Sequence, residues 1–195
     1  MKTLIKKLVE EIGPSGYEDK IRALVISEVK EYSTDFQVDP LGNLIVRFGQ
    51  KQENGKRVML PAHMDEIGVI ATHIDEQGFI RFAPIGGVRA ASTVGNRVRF
   101  INGVEGVIGS ERPADPTKVI PLEALFIDVG ATSRENCPVK VGDVAAFNHP
   151  MLDLGKRLSS KAMDDRIAVA VLIETIRRMK TTPNEIFFVF SVQEE

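Results

Sequence analysis

The sequence has almost nothing with which to do disulfide or thiol redox chemistry. Its 195 residues include one cysteine, Cys137, and no tryptophan. A single thiol excludes an internal disulfide and fits a reducing compartment, so the cytoplasm is the expected location. Cys137 precedes Pro138 in a loop-like stretch, which gives it an incidental role rather than a nucleophile's. Long hydrophobic runs are also missing. Met1 to Ile12 breaks its apolar residues with Lys2, Lys6, Lys7, Glu10 and Glu11, unlike a signal peptide, and no stretch approaches membrane-spanning length. Charge of either sign is not in excess: the net value is −2, without the basic footprint of a nucleic-acid binder. Neither a Walker-type phosphate loop nor Gly-x-Ser-x-Gly occurs, so glycine pairs such as Gly86-Gly87 read as turns.

What is present is ordinary globular material, 43% hydrophobic and long enough to bury a core. Leu4, Ile5, Leu8, Val9 and Ile12 recur at helical spacing and stop at Gly13-Pro14-Ser15-Gly16. A second helix is expected from about Glu18 to Glu31. Short strand-like runs come next at Phe36 to Val38, Leu44 to Phe48 and Arg57 to Leu60. From about Ile67 to Phe147, apolar runs alternate with turn signals, the pattern of a small β-barrel or β-rich module. Helix returns from Asp164 to Met179, apolar on most sides and so expected to be well buried. A last strand, Glu185 to Val192, runs into Glu194-Glu195. The simplest organisation is an α/β domain whose chain leaves for a β module and comes back.

Three short groups carry the candidate chemistry. In His63-Met64-Asp65, residues two apart on a strand share a face, so Asp65 can orient a metal-ligating His63; taken alone, the tripeptide reads better as a core histidine paired with a local acid. Lys161-Ala162-Met163-Asp164-Asp165-Arg166 opens a helix, where capping explains one aspartate and leaves the other free for another task. Glu194-Glu195 is either a solvated terminus or a repelling pair that asks for a cation. Taken together, a histidine and carboxylates at strand and helix ends favour a hydrolytic site for zinc, cobalt or manganese. His73 and His149 carry no expected site role.

These residues sit in stretches that resemble the TET-type metallo-aminopeptidases, a dinuclear family whose members are named glutamyl or deblocking aminopeptidase and often endoglucanase. The likeness runs through Gly13-Pro14-Ser15-Gly16-Tyr17-Glu18, Asp39-Pro40-Leu41-Gly42-Asn43-Leu44 and Ala62-His63-Met64-Asp65-Glu66-Ile67-Gly68. It continues in Ile127-Asp128-Val129-Gly130-Ala131, Lys161 to Arg166 and Ser191-Val192-Gln193-Glu194-Glu195. One departure is Ser159-Ser160, which stands before Lys161 where a glycine is common.

The resemblance implies a zinc-exopeptidase-like α/β catalytic domain, residues 1–66 and 158–195, interrupted by a β-barrel-like dimerisation domain, residues 67–157. It implies that His63 binds one divalent metal, Asp164 bridges two and Glu195 binds the other. Zinc is the first expectation for both ions, with cobalt as the alternative. Asp65 would orient His63, and Glu194 would act as general base on an activated water. Free peptide N-termini would be the substrate, and dimers building dodecamers the assembly, without nucleic acid or membrane. Family members continue past the position of Glu195 with an Asp and a His that complete the metal ligands, so the expected ligand set is incomplete. A catalytically inactive truncated fragment that keeps the dimerisation module is therefore a second expectation. Glycoside hydrolysis is a third, disfavoured because acids adjacent on one strand are badly placed to flank a glycosidic bond.

Overall fold

The computed structural model describes residues 1–112, 115 and 117–195. Two helices open the chain, α1 at Lys2–Glu10 and α2 at Asp19–Val29, and are succeeded by three strands, β1 at Phe36–Val38, β2 at Leu44–Phe48 and β3 at Arg57–His63. Six strands come next: β4 at Gly68–Ile74, β5 at Ile80–Ile85, β6 at Arg97–Phe100, β7 at Glu105–Ser110, β8 at Leu125–Asp128 and β9 at Val144–Phe147. The chain ends with the short β10 at Leu152–Asp153, β11 at Leu158–Ser159, α3 at Met163–Arg178 and β12 at Glu185–Ser191. These elements form two compact units, one from Met1–Asp65 with Pro150–Glu194, the other from Glu66–His149 with Glu195.

In the first unit four strands lie in the order β1-β2-β12-β3. β12 runs antiparallel to β2 but parallel to β3, with Phe188 opposite Leu60 and Ser191 opposite His63. The parallel pair builds a common rim, because two parallel strands end on the same side of the sheet and their next residues emerge together. The three helices bury Leu8, Val9, Ile21, Val25, Val169 and Ile173 in one cluster with Val46, Phe188 and Phe190 of the sheet. Each such aliphatic side chain contributes about 1.5–3 kcal/mol when fully buried. Helix α3 is less enclosed than its apolar sequence implies: Val171 is 51% exposed while Val169, Ala170 and Ile173 are buried. Residues 150–157, expected in the insert, belong to the first unit, where β10 pairs with β11 and the Met151 N–H donates to Glu10 Oε1 at 2.9 Å.

Polar contacts tie the helices together. Glu28 of α2 accepts from Lys7 of α1 at 2.8 Å and from Arg177 of α3. The Lys7 hydrogen bond, reinforced by Arg177, holds the Glu28 carboxyl below its ordinary pKa. Arg166, fully buried, donates to the carbonyls of Met64 at 2.9 Å, Leu8 at 2.8 Å, Glu11, and Gly13 at the long distance of 3.5 Å. One guanidinium thereby joins the end of α1, the loop after it and the end of β3. Gly13 is required for this close approach, since a Cβ there would lie 2.8 Å from Ile21 Cγ2 and 3.0 Å from Arg166 Nη2.

The second unit is the closed barrel β4-β5-β8-β7-β6-β9. Every neighbouring pair is antiparallel, and β5 meets β8 through the single pair Ile80 and Ile127 that closes the barrel. Ile80, Val98, Phe100, Ile108, Leu125, Ile127 and Ala145 fill its core. The β-rich reading of this region is borne out, and hairpin turns fall at Gly78 and Gly103, both at positive φ. Cys137 is a free thiol packed partly against the barrel core, and His73 and His149 are exposed. Among the described residues no helix is long and apolar enough to cross a membrane.

Candidate metal centre

The rim shared by β3 and β12 gathers the polar residues that the sequence singles out. His63 is the last residue of β3 and is 8% exposed. Its Nδ1 is buried, makes no hydrogen bond, and lies 3.4 Å from Oδ1 of the fully buried Asp65. Its Nε2 faces outward, 3.3 Å from Asp164 Oδ1 and 3.7 Å from Glu194 Oε2. Those two carboxylates are 92% and 63% exposed. The strand ends at His63, so Asp65 lies just beyond it rather than on the expected strand face, yet its carboxylate stands behind the ring and leaves the other nitrogen toward the rim.

The two aspartates that open α3 have separated tasks. Asp164 and Asp165 are joined by a cis peptide and neither has helical dihedrals, so the regular helix begins at Arg166. The Asp165 carboxylate accepts the N–H of Ala168, three residues on, which is N-cap geometry. Burial pushes the Asp165 carboxyl pKa up, against the lowering pull of His63 and that cap bond. Asp164 takes no part in capping and faces His63. Capping therefore uses one aspartate of the pair, as the composition of this helix start implies. Lys161 and Arg166, flanking the acids in sequence, both donate to the Glu11 carbonyl at the end of α1.

Beyond β12 the backbone is held residue by residue. The Val192 N–H donates to Asn43 Oδ1 at 3.0 Å, the Gln193 N–H to Glu18 Oε1 at 3.1 Å and the Glu194 N–H to Asp65 Oδ2 at 3.0 Å. Gln193 has φ of +54°, in the left-handed region that side chains other than glycine rarely adopt. Glu195 belongs to the barrel unit. It lies against Gly86, where a Cβ would meet Glu195 Oε2 at 3.0 Å and Glu195 Cβ at 3.1 Å. Gly86 is a turn residue at φ +73°, as expected, and its missing side chain is also the space that Glu195 fills. Sequence reading places neither Glu18 nor Asn43 in the site, although both lie in the stretches that carried the family resemblance.

The donor chemistry fits a divalent cation. Carboxylate oxygens of two side chains face one imidazole nitrogen, the mixed nitrogen and oxygen donor set that suits zinc. Two donors each about 2.0–2.1 Å from a tetrahedral zinc lie about 3.3 Å from one another, which matches the His63 Nε2 to Asp164 Oδ1 separation of 3.3 Å. Among the described residues no three histidine, cysteine, aspartate or glutamate side chains are already spaced to hold a metal ion.

Comparison with known proteins places the chain in a family. A protein of Acetivibrio thermocellus with a provisional aminopeptidase name is 45% identical over 194 residues, covering 98% of this chain and 58% of its own length. The lysyl aminopeptidase of Pyrococcus furiosus is 34% identical over 206 residues, covering 98% of this chain and 59% of its own. The structure of the Pyrococcus horikoshii TET1 peptidase, described as assembling into a tetrahedron or a large octahedral shell, superposes with a TM-score of 0.88 at 36% identity. It covers 99% of this chain and 61% of that one. The chain thus spans under two thirds of the length of each. Residues 42–195 match the M42 glutamyl aminopeptidase family, and the chain belongs to that family.

Proposed function

We propose that this rim is the catalytic centre of a metal-dependent aminopeptidase that releases N-terminal residues from short peptides. The observation that carries the reading is the meeting of Asp164 and Glu194 at Nε2 of His63, with buried Asp65 behind the same ring. The first unit would be the catalytic α/β domain of the zinc-exopeptidase kind, and the barrel the dimerisation domain. Two divalent cations, zinc first and cobalt as the alternative, would polarise the scissile carbonyl and acidify water when bound. His63 and Asp164 would hold one of them, and Glu195 is carried over from the family resemblance as a ligand of the other.

The chain's own residues supply orientation and proton transfer. A proton on Nδ1, held toward Asp65, leaves the Nε2 lone pair directed at the rim. The same Asp65 carboxylate accepts the Glu194 N–H, so one buried acid sets the position of both the imidazole and Glu194. The Glu194 carboxylate, mostly exposed, is available to accept a proton from water and deliver it to the departing amine. Peptide substrates and assembly into a closed shell are carried over from the relatives' names and from the assembly described for the TET1 peptidase.

Hydrolysis of aminoacyl-p-nitroanilides tests the reading. Turnover abolished by a chelator and restored by zinc or cobalt is expected. Turnover indifferent to the chelator removes the metal from the mechanism, and cleavage of cellulose oligomers instead of peptides removes the aminopeptidase.

A further inference from the structure

Glu18 is a buried carboxylate, 4% exposed, that stands at the N-cap position of α2 without capping that helix. An acid at this position usually accepts from its own helix's first N–H groups. Here Glu18 Oε1 instead accepts the Gly16 N–H at 2.7 Å and, across the fold, the Gln193 N–H at 3.1 Å. Burying a carboxylate is costly unless its hydrogen bonds repay the lost hydration, so this one is committed to the chain between β12 and Glu194. Asn43 acts beside it. Its Nδ2 donates to Asp39 Oδ2 at 2.8 Å, which orients the amide, and its Oδ1 accepts the Val192 N–H. Asp65 takes the third N–H in the row, that of Glu194.

We propose that Glu18 is a positioning residue for Glu194: its carboxylate, aided by Asn43, fixes the left-handed bend at Gln193 and with it the direction in which Glu194 leaves the sheet. A non-glycine residue at positive φ holds that conformation only where its surroundings over-determine it. Three consecutive backbone N–H groups, each given to a side chain from a different part of the chain, are such surroundings. The effect on catalysis rests on the aminopeptidase reading; the clamp on the backbone does not.

Amide hydrogen exchange by NMR, combined with steady-state kinetics, separates the two. In Glu18→Ala the Gln193 N–H is expected to exchange about 10- to 100-fold faster, the equivalent of one lost charge-assisted hydrogen bond. Phe188 and Phe190 in β12 should keep their rates. Glu18→Gln retains an acceptor oxygen and should restore most of the protection. On aminoacyl-p-nitroanilides Glu18→Ala should lower kcat by about 100-fold with KM within about twofold, as misplacement of a reacting group does, and Glu18→Gln should recover it. The proposal is overturned if Gln193 exchange is unchanged in Glu18→Ala, or if Phe188 and Phe190 accelerate equally. It is also overturned if Gln193 is freed while kcat stays put in an active protein. A wild-type protein without peptidase activity removes the aminopeptidase reading, and the exchange rates still decide the clamp.

Discussion

The two units use burial in opposite ways. The barrel buries side chains such as Val98, Phe100, Ile108 and Ile127 and is held by antiparallel strand pairing. The sheet unit buries an apolar cluster too, but five of the seven buried polar or charged residues among those described are its own: Glu18, His63, Asp65, Arg166 and Glu185. Four of these act at or just behind the rim of β3 and β12, where they hold backbone groups or one another. Apolar packing gives stability wherever it fits, whereas buried polar groups cost free energy unless each is satisfied. Their concentration at one rim is what the proposed catalytic centre would require of its surroundings.

Substitutions can break that contrast, and Arg166→Met should do so most severely. Removing the guanidinium strips donors from the carbonyls of Leu8, Glu11 and Met64, at about 1–3 kcal/mol for each buried group left unsatisfied. A total loss of about 4 kcal/mol or more is expected in denaturant unfolding, with zinc binding lost as well. A loss below about 1 kcal/mol would show that the site is not braced this way. Phe100→Ala, in the barrel core, should cost about 3–5 kcal/mol through the cavity it leaves, yet leave the zinc affinity of the folded protein unchanged. A parallel loss of zinc affinity would erase the distinction between the units.

Smaller changes sharpen the comparison. Glu28→Gln should cost about 1 kcal/mol at neutral pH, since its partners are partly exposed. The folded-state pKa of Glu28 is lowered by Lys7 and Arg177. Its contribution is therefore full above the ordinary glutamate range and disappears as pH falls through the lowered folded value. Unfolding midpoints of wild type and Glu28→Gln should converge in acid; a gap that widens on acidification contradicts the ion-pair origin. Asp164→Asn should move stability least, within about 0.5 kcal/mol, because the side chain is exposed. Its zinc affinity, measured calorimetrically, should nevertheless fall by about 100-fold. Unchanged affinity would remove Asp164 from the metal site.

Much of this was legible in the sequence because it is local. The turn signals after Ile67 predict a β module, and the paired aspartates predict one cap and one free acid. What stayed hidden is non-local. Nothing near Glu18 says that its carboxylate serves Gln193, 175 positions on. Arg166 reads as a charge accompanying two acids until the carbonyls of α1 and β3 are seen around it. Residues 150–157 lack a strong period, and only the pairing of β10 with β11 reveals which unit they join. The apolar sequence of α3 overstates its burial because Val171 lies on the face turned away from the sheet-unit core.

The most direct measurement compares wild type with Glu194→Gln for both zinc binding and aminoacyl-p-nitroanilide hydrolysis. A general base at the rim predicts that Glu194→Gln binds zinc as wild type does and loses about 100- to 10,000-fold in kcat. Turnover retained in Glu194→Gln, with zinc bound, would contradict the assignment of this rim as the catalytic centre.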